Sequence, residues 1–193
     1  AHNDFTVSMV VLRPGDMDGT MTKVTLEMTD TVFDVNRKIT EFLEKNKAAQ
    51  ETNATDTLMR RLLAFPGLVS AGVGLIKFAD RHGLLPRKLI DASPFHCSLL
   101  ISNLASIRTN HIYHHIYEFG TAGVFITMGN SIEKPEYDAN GVVQLKRYIP
   151  CGVVMDERIC SGSYFARVFR RLQQYLNDPS LLELPPETVV EDR

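Results

Sequence analysis

The sequence predicts an α+β protein with a mixed sheet. Three observations support this: an alternating strand pair opens the chain, helical patterns fill its middle, and apolar strands with a second hairpin precede one last helix. Strands joined by short turns are antiparallel, whereas strands separated by helices are free to run parallel. With 193 residues the chain is long enough for one large core, so we expect a single domain over residues 1–193.

The first elements follow from hydrophobic periodicity. Apolar and polar residues alternate on both sides of the turn-forming residues 14–19, which predicts a hairpin over residues 5–28. Apolar residues then recur at helical spacing between Lys and Glu, which predicts an amphipathic helix over residues 32–48. Asp30 and Thr31 stand where their side chains can cap that helix.

The middle of the chain is predicted to be helical. A polar surface loop over residues 49–57 precedes a helical region over residues 58–81 that is kinked at Pro66, and a short helix is expected over residues 87–92. The uncharged run 62–76 is shorter than the roughly 20 apolar residues that span a membrane. We interpret it as a buried or surface-lying helical hairpin.

The second half supplies the centre of the sheet. Residues 95–104 and 123–128 are almost wholly apolar, which is typical of central strands covered on both faces. The turn sequence DANG at residues 138–141 predicts a second hairpin, whose return strand is expected over residues 143–155. An apolar stripe over residues 164–176 predicts the last helix.

Composition excludes some classes of function. The net charge of -2 and the scattered Lys and Arg residues argue against nucleic acid as a partner. Three cysteines, Cys97, Cys151 and Cys160, show no CxxC pair and lie in apolar surroundings, so we expect reduced, buried thiols. Such thiols, and the lack of a leader pattern at the start of the sequence, predict a cytoplasmic location.

Three of the histidines raise the question of a metal. His111, His114 and His115 cluster within five residues, but their spacing fits none of the usual zinc patterns. We interpret them as core or interface histidines and expect no metal. His96 alternates on an apolar run and is interpreted as a core residue with satisfied hydrogen bonds.

Several segments of the sequence, taken in their order along the chain, resemble those of a known protein family. They are SPFHCSLLISNL at residues 93–104, HIYHHIYEFGTAGVFITMG at residues 111–129, a hairpin, and VVMDERICSGSYFARVFRRLQQYLNDP at residues 153–179. Together they resemble the catalytic domain of the 2-oxo acid dehydrogenase dihydrolipoamide acyltransferases and of chloramphenicol acetyltransferase. The resemblance implies a chloramphenicol acetyltransferase-like two-layer sandwich. Because family domains begin further upstream, it also implies that part of the family's N-terminal region is lacking and that this chain is the C-terminal part of a longer domain.

The signature of that family lies where the last strand meets the last helix. It reads Asp-His-Arg, two apolar residues, then Asp-Gly, and the stretch DERICSG matches it at Asp156, Arg158 and Gly162. Glu157 stands at the position of the catalytic histidine, and Ser161 stands at the position of the aspartate. A solvated carboxylate is a weaker base than an imidazole by about two pKa units, or about 3 kcal/mol, which burial in a dry channel would offset.

The resemblance assigns roles to these residues. Ser102 and Asn103 match a family strand whose serine stabilises the oxyanion, so Ser102, Glu157 and Ser161 are the implied catalytic residues. Asn103, Arg158 and Gly162 are the implied substrate-binding residues. The implied reaction transfers an acyl group between a CoA thioester and a thiol or hydroxyl acceptor.

Other interpretations remain open at this point. Glu157 can pair with Arg158 or another cation, while Ser161 caps the last helix through backbone amides. The family places its active site between the subunits of a homotrimer, so Ser102, Asn103, Glu157 and Ser161 should converge at a subunit boundary. The loss of both the histidine and the aspartate also fits a catalytically silent trimer that keeps CoA binding or a scaffolding role. A third hypothesis is a membrane-surface protein that uses the apolar residues 62–78.

Overall fold

The fold was obtained as a computed structural model, which describes residues 5–11, 20–48 and 66–189. The strands in this part of the chain are β1 (Phe5–Val11), β2 (Thr20–Leu26), β3 (Leu99–Asn103), β4 (Val124–Met128), β5 (Ile132–Tyr137), β6 (Val143–Tyr148) and β7 (Cys151–Met155). The helices are α1 (Val32–Ala48), α2 (Pro66–Arg81), α3 (Arg87–Ala92) and α4 (Gly162–Asn177), with 3₁₀ turns at Leu104–Ile107 and Pro179–Leu182.

The main sheet is mixed, as the sequence predicts. Its described strands have the order β2-β1-β3-β4-β7. β1 pairs antiparallel with β2 and parallel with β3, whereas β4 pairs parallel with β3 and antiparallel with β7. The two apolar runs therefore form the central strands β3 and β4, and the α+β class is confirmed.

Side chains from both faces of β3 are covered. On one face, Leu99 and Ile101 join a core that includes Val7 and packs against apolar residues of α1. On the other face, Leu100 and Phe125 lie side by side in a second core. Successive residues of a strand point to opposite faces, so an apolar run with no alternation is the pattern that a central strand needs.

The start of α1 confirms the predicted cap. The Thr31 hydroxyl accepts a hydrogen bond from the Asp34 backbone N–H at 3.3 Å, and the Asp34 carboxylate accepts bonds from the Thr31 hydroxyl and backbone N–H at 2.7 and 3.2 Å. This reciprocal arrangement is a capping box. Together with Arg37, the bonds from Thr31 lower the pKa of Asp34 to about 2.

The prediction of a single return strand over residues 143–155 is wrong, because the structure has two strands there, β6 and β7. β6 pairs with β5 in a separate two-stranded sheet, as predicted for the second hairpin, whereas β7 pairs with β4 in the main sheet. Ile149 and Pro150 separate the two strands. Proline has no N–H and a fixed φ, so it interrupts the hydrogen-bond ladder at the point where the chain changes sheets.

Two further boundaries differ from prediction. β3 begins at Leu99 and not at Phe95, because the Phe95 carbonyl accepts bonds from the N–H groups of Thr121 and Ala122 at 3.1 and 3.3 Å and so lies outside the strand ladder. The last helix begins at Gly162, two residues before the predicted start.

Some expectations fall partly outside the described residues. The predicted turn at residues 14–19, the loop at residues 49–57 and the helical residues 58–65 before the predicted kink at Pro66 lie outside the described residues. The described part of the long helical region is α2, whose Leu75 and Phe78 side chains are exposed, so this part lies on the surface. Within the described ranges, no helix is long and apolar enough to cross a membrane.

Candidate active site

The stretch DERICSG forms the turn between β7 and α4. Within this turn, Asp156 and Arg158 form a tight ion pair in which Arg158 Nη2 lies 2.6 Å from Asp156 Oδ2 and Nε lies 2.9 Å from both carboxylate oxygens. The Asp156 Oδ1 atom also accepts the backbone N–H of Arg158 at 2.9 Å. The bonds from the Arg158 side chain, and then that from its backbone, lower the pKa of Asp156. Arg158 therefore already has an anionic partner.

Glu157 does not pair with Arg158, contrary to one of the two interpretations. Its side chain is exposed in the single chain, and its carboxylate makes no ion pair with any residue that the structure describes. The carboxylate lies over the start of α4, where a Cβ atom at Gly162 would come within 2.9 Å of Glu157 Oε1. Gly162 thus leaves the space that the Glu157 carboxylate occupies.

Ser161 is the residue that precedes α4, as expected, but its side chain makes no capping hydrogen bond. Its hydroxyl lies 2.9 Å from the Ser163 hydroxyl and is exposed. The interpretation that Ser161 caps the helix through backbone amides is therefore wrong. The geometry leaves this hydroxyl on the surface at the start of α4.

Ser102 and Asn103 occupy the end of β3. Ser102 lies opposite Thr127 of β4, which lies opposite Gly152 of β7. Ser102 is half-buried, whereas Asn103 is exposed. The carboxyl end of β3 therefore presents both residues at one end of the main sheet.

The two halves of the predicted site lie at different ends of this sheet. The row that contains Ser102 crosses β7 at Gly152, and β7 then runs away from that end to Met155, opposite Val124. Met155, the last residue of β7, lies three residues after Gly152, or about 10 Å further along the strand at about 3.3 Å per residue, and Glu157 lies in the turn beyond it. One chain by itself does not bring Ser102 and Glu157 together.

The histidine-containing segment, residues 111–117, crosses the sheet face that carries Thr127. Its backbone closely approaches two glycines. A Cβ atom added at Gly152 would lie 2.3 Å from the Ile112 carbonyl oxygen, and one added at Gly129 would lie 2.4 Å from the His111 backbone nitrogen. The Ile112 N–H donates to the buried Thr127 hydroxyl at 3.2 Å. These close contacts were not predicted from sequence, since the two glycines carry no local sign of what packs on them.

The histidines behave as packing residues. His114 stacks on Phe125 of the core, with ring centroids 4.5 Å apart and planes 14° from parallel. His111 Nδ1 is buried without a hydrogen-bond partner among the described residues. Among all the residues that the structure describes, no group of three His, Cys, Asp or Glu side chains could hold a metal ion.

His96 is a satisfied core residue, as predicted. Its Nε2 atom lies 2.8 Å from Asp80 Oδ1, and its Nδ1 atom lies 2.8 Å from the Ser93 hydroxyl. Asp80 Oδ2 accepts the Gly120 N–H at 2.9 Å. Burial raises the pKa of Asp80, but the bonds from Gly120 and His96 outweigh it and hold this pKa below its usual value. Asp80 thus ties α2 to the sheet, a role with no local signal in the sequence.

The cysteines are all free, but only Cys97 is buried. Cys160 is half-buried and Cys151 is exposed. The expectation of three buried thiols is therefore wrong for Cys151, which is the first residue of β7, at the edge of the main sheet.

The fold of this chain is similar to that of solved structures. The main sheet and its helices match catalytic cores of dihydrolipoamide acyltransferases, which have the chloramphenicol acetyltransferase-like fold, and the predicted fold class is confirmed. One such structure is the cubic core of the pyruvate dehydrogenase multienzyme complex (TM-score 0.55, 15% identity, 95% of this chain and 58% of that chain). Another is a probable dihydrolipoamide acetyltransferase from Listeria monocytogenes 4b F2365 (TM-score 0.54, 10% identity, 98% of this chain and 61% of that chain).

This likeness concerns the fold. The chain spans about three fifths of each of these solved chains, at 58% and 61%, in line with the expectation that part of the family's domain is lacking. No protein-family profile matches the sequence. No curated protein matches it either.

Proposed function

We propose that this protein is a CoA-dependent acyltransferase whose active site forms between two copies of the chain. One copy supplies Glu157 as the base, and its neighbour supplies Ser102 as the oxyanion donor. The observation that carries the proposal is the placement of these residues at opposite ends of one sheet. Two such residues meet only if neighbouring chains bring unlike ends together, which is the arrangement that the resembled family uses.

The proposed reaction needs one base and one oxyanion donor. Glu157 removes the proton of a thiol acceptor, and the thiolate attacks the carbonyl carbon of the acyl-CoA thioester. The resulting oxyanion accepts a hydrogen bond from the Ser102 hydroxyl. When the tetrahedral intermediate collapses, the bond to the CoA sulfur breaks, and the CoA thiolate takes the proton back from Glu157. A thiol suits this base better than a hydroxyl, because thiols ionise near pKa 8.5.

The surrounding residues support these roles. The Asp156 and Arg158 ion pair shapes the turn that carries Glu157, and Gly162 leaves room for the Glu157 carboxylate. Because Arg158 is engaged by Asp156, Glu157 keeps a carboxylate that no described cation neutralises. In this proposal the exposed Ser161 hydroxyl and the Asn103 amide contact the substrate from the two sides of the chain boundary.

A homotrimer is the assembly that the family resemblance implies, and we include it in the proposal. The pyruvate dehydrogenase neighbour is described as part of a cubic core, which supports an assembled state. CoA or acyl-CoA is the proposed substrate. The free cysteines and the CoA chemistry support the cytoplasm as the proposed location.

The decisive experiment measures acyl transfer from acetyl-CoA to a small dithiol, with the acetylated dithiol and the released CoA separated and quantified by chromatography. Because a positioned general base contributes about 100-fold or more, Glu157→Gln should lower kcat by at least that factor. Glu183→Gln, an equivalent change of an exposed glutamate in the tail, should leave the rate unchanged. The molecular mass and the binding of CoA are measured on the same samples.

Two results would contradict the proposal in different ways. Turnover that is unaffected by Glu157→Gln would exclude Glu157 as the base. A well-folded trimer that binds CoA without any turnover would replace the transferase with the silent CoA-binding alternative.

A further inference from the structure

An apolar cavity of about 350 Å³ lies between α2 and an aromatic cluster. Val73 and Ile76 of α2 form one wall, and Phe95, Tyr117 and Phe119 form the other. This volume falls within the range of sites for small molecules in proteins, which are mostly apolar with a few polar groups at defined positions.

A second, polar cavity of about 300 Å³ adjoins the first, because Lys77 and Glu118 line both. Arg81 and Arg158 also line the polar cavity, which therefore reaches the turn that carries Glu157. The hydrogen bonds to Asp156 raise the pKa of Arg158, and Glu118, which lines the same cavity, adds a smaller contribution. Lys77 and Arg81 have no ion pair with any residue in the described ranges, and the carboxylates of Asp80 and Glu118 line the same cavity.

Both walls of the apolar cavity are held in place. The Phe95 ring packs edge-on against Tyr117 and Phe119, with centroids 4.8 and 6.0 Å apart. Asp80 fixes α2 to this cluster through its bonds to His96 and to the Gly120 N–H. The cavity is therefore preformed, and a ligand would not have to order its walls.

We propose that the apolar cavity binds an acyl chain of about ten carbons, with its anionic or thioester head group at Lys77 and Arg81. The chain length follows from the cavity of about 350 Å³ and from a methylene volume close to the roughly 30 Å³ of a water molecule. The head group follows from the side chains of Lys77 and Arg81, which make no ion pair with a described residue and can donate hydrogen bonds to a carboxylate or to a thioester carbonyl. As the acyl site of the transferase, this inference rests on the proposed function and names its substrate class.

The test is a calorimetric titration of the full chain with carboxylates from butanoate to decanoate and with the matching acyl-CoA esters. Each methylene that enters the cavity should lower Kd between about twofold and fourfold, up to the length that fills it. Tighter binding of decanoate would identify the free carboxylate as the ligand, and tighter binding of decanoyl-CoA would identify the thioester. A Kd that does not depend on chain length, or no binding of either series, would overturn the proposal.

Two substitutions separate the cavity from the rest of the surface. Ile76→Trp fills the cavity and should abolish the dependence on chain length, whereas Leu75→Trp, on the exposed side of the same helix, should bind like the unaltered chain. Lys77→Gln should weaken every chain length by the same factor, because it changes only the contact with the head group. Equal binding by the Ile76→Trp and Leu75→Trp variants would also overturn the proposal.

The titration contains no acceptor and needs no turnover, so the two proposals fail separately. If acetyl-CoA turnover depends on Glu157 but decanoate and decanoyl-CoA do not bind, the acyl site is wrong and the transferase stands. If the long chains bind in a manner that Ile76→Trp abolishes but no ester is turned over, the transferase is wrong and the cavity assignment stands.

Discussion

Ser102 and Glu157 lie at opposite ends of the same five-stranded sheet. The row of Ser102 meets β7 at Gly152, and Glu157 lies in the turn beyond the end of that strand, which is about 10 Å further along. The strand register decides this separation, because β4 joins a parallel neighbour, β3, to an antiparallel one, β7. The ends of β3 and β7 that carry these two residues therefore point in opposite directions.

This separation predicts complementation between inactive chains. Ser102→Ala and Glu157→Gln should each lose about 100-fold or more in kcat, because each removes one of the two groups that act on the intermediate. After unfolding and refolding of an equal mixture, about a quarter of the sites should combine an intact Ser102 with an intact Glu157 from different chains. Acyl transfer in the mixture should then recover to about a quarter of the unaltered rate.

The control is each variant refolded alone, which should stay inactive. A mixture that shows only the average of the two variants, with mixed assemblies confirmed by mass spectrometry, would contradict a site built from two chains.

Gly162→Ala should separate activity from stability. A Cβ atom here would lie 2.9 Å from Glu157 Oε1, so the carboxylate must move and acyl transfer should fall. The free energy of unfolding should stay the same or rise by up to about 1 kcal/mol, because alanine favours a helix more than glycine does. Gly74→Ala, in open space on α2, should give a similar stability without the loss of activity. Equal activity in both variants would argue against the positioning of Glu157 by Gly162.

Asp80 should make the stability of the protein depend on pH. Its pKa lies below the ordinary value of 3.8 in the folded chain, so its contribution is complete above that pH and is lost as the pH falls through the folded value. Asp80→Asn should therefore lower the free energy of unfolding by about 1 to 3 kcal/mol at pH 7 and change it little once Asp80 is protonated. Urea unfolding at several pH values measures both quantities.

A matched substitution at the surface tests that prediction. Asp91 pairs with Arg87 at 3.6 Å, and both side chains are mostly exposed, so Asp91→Asn should cost less than about 1 kcal/mol at any pH. An Asp80→Asn effect that is as small, or that persists unchanged in acid, would contradict the role of Asp80 as the link between α2 and the sheet.

Gly120 should tolerate no side chain. Its φ is 90°, and a Cβ atom would lie 2.2 Å from the Phe95 carbonyl oxygen, so Gly120→Ala forces the backbone apart and should cost about 3 kcal/mol or more. Gly83 also has a positive φ, 67°, but faces open space, and Gly83→Ala should cost only about 1 to 2 kcal/mol. Urea unfolding of the two variants measures the difference, and similar costs would argue against the close contact with Phe95.

The sequence predicted those elements whose signal is local. Alternation marked β1 and β2, helical periodicity marked α1, and unbroken apolar runs marked the central strands β3 and β4. The return strand was predicted as one element because residues 143–155 have strand-like composition throughout, and the break at Pro150 became clear only when β6 and β7 paired with different partners.

Some features of the candidate site were likewise visible in the sequence, and others depended on the structure. The order of segments and the match at Asp156, Arg158 and Gly162 were visible in the sequence, as was the replacement of the family's histidine by Glu157. That Arg158 binds Asp156, and so leaves Glu157 unpaired, was not visible, because both carboxylates lie within two residues of Arg158 in the chain. Side-chain geometry at the turn made that choice.

The sequence by itself determined the α+β class, the order of the elements and the residue types at the turn before α4, because periodicity and short motifs act over a few neighbouring residues. Only the tertiary structure decided that Asp80 binds His96, 16 residues away, and that the chain has an apolar cavity beside this link. It also decided that Ser102 and Glu157 lie at different ends of the sheet. These relationships depend on strand order, register and helix docking, which join residues distant in the chain and leave no local pattern in the sequence.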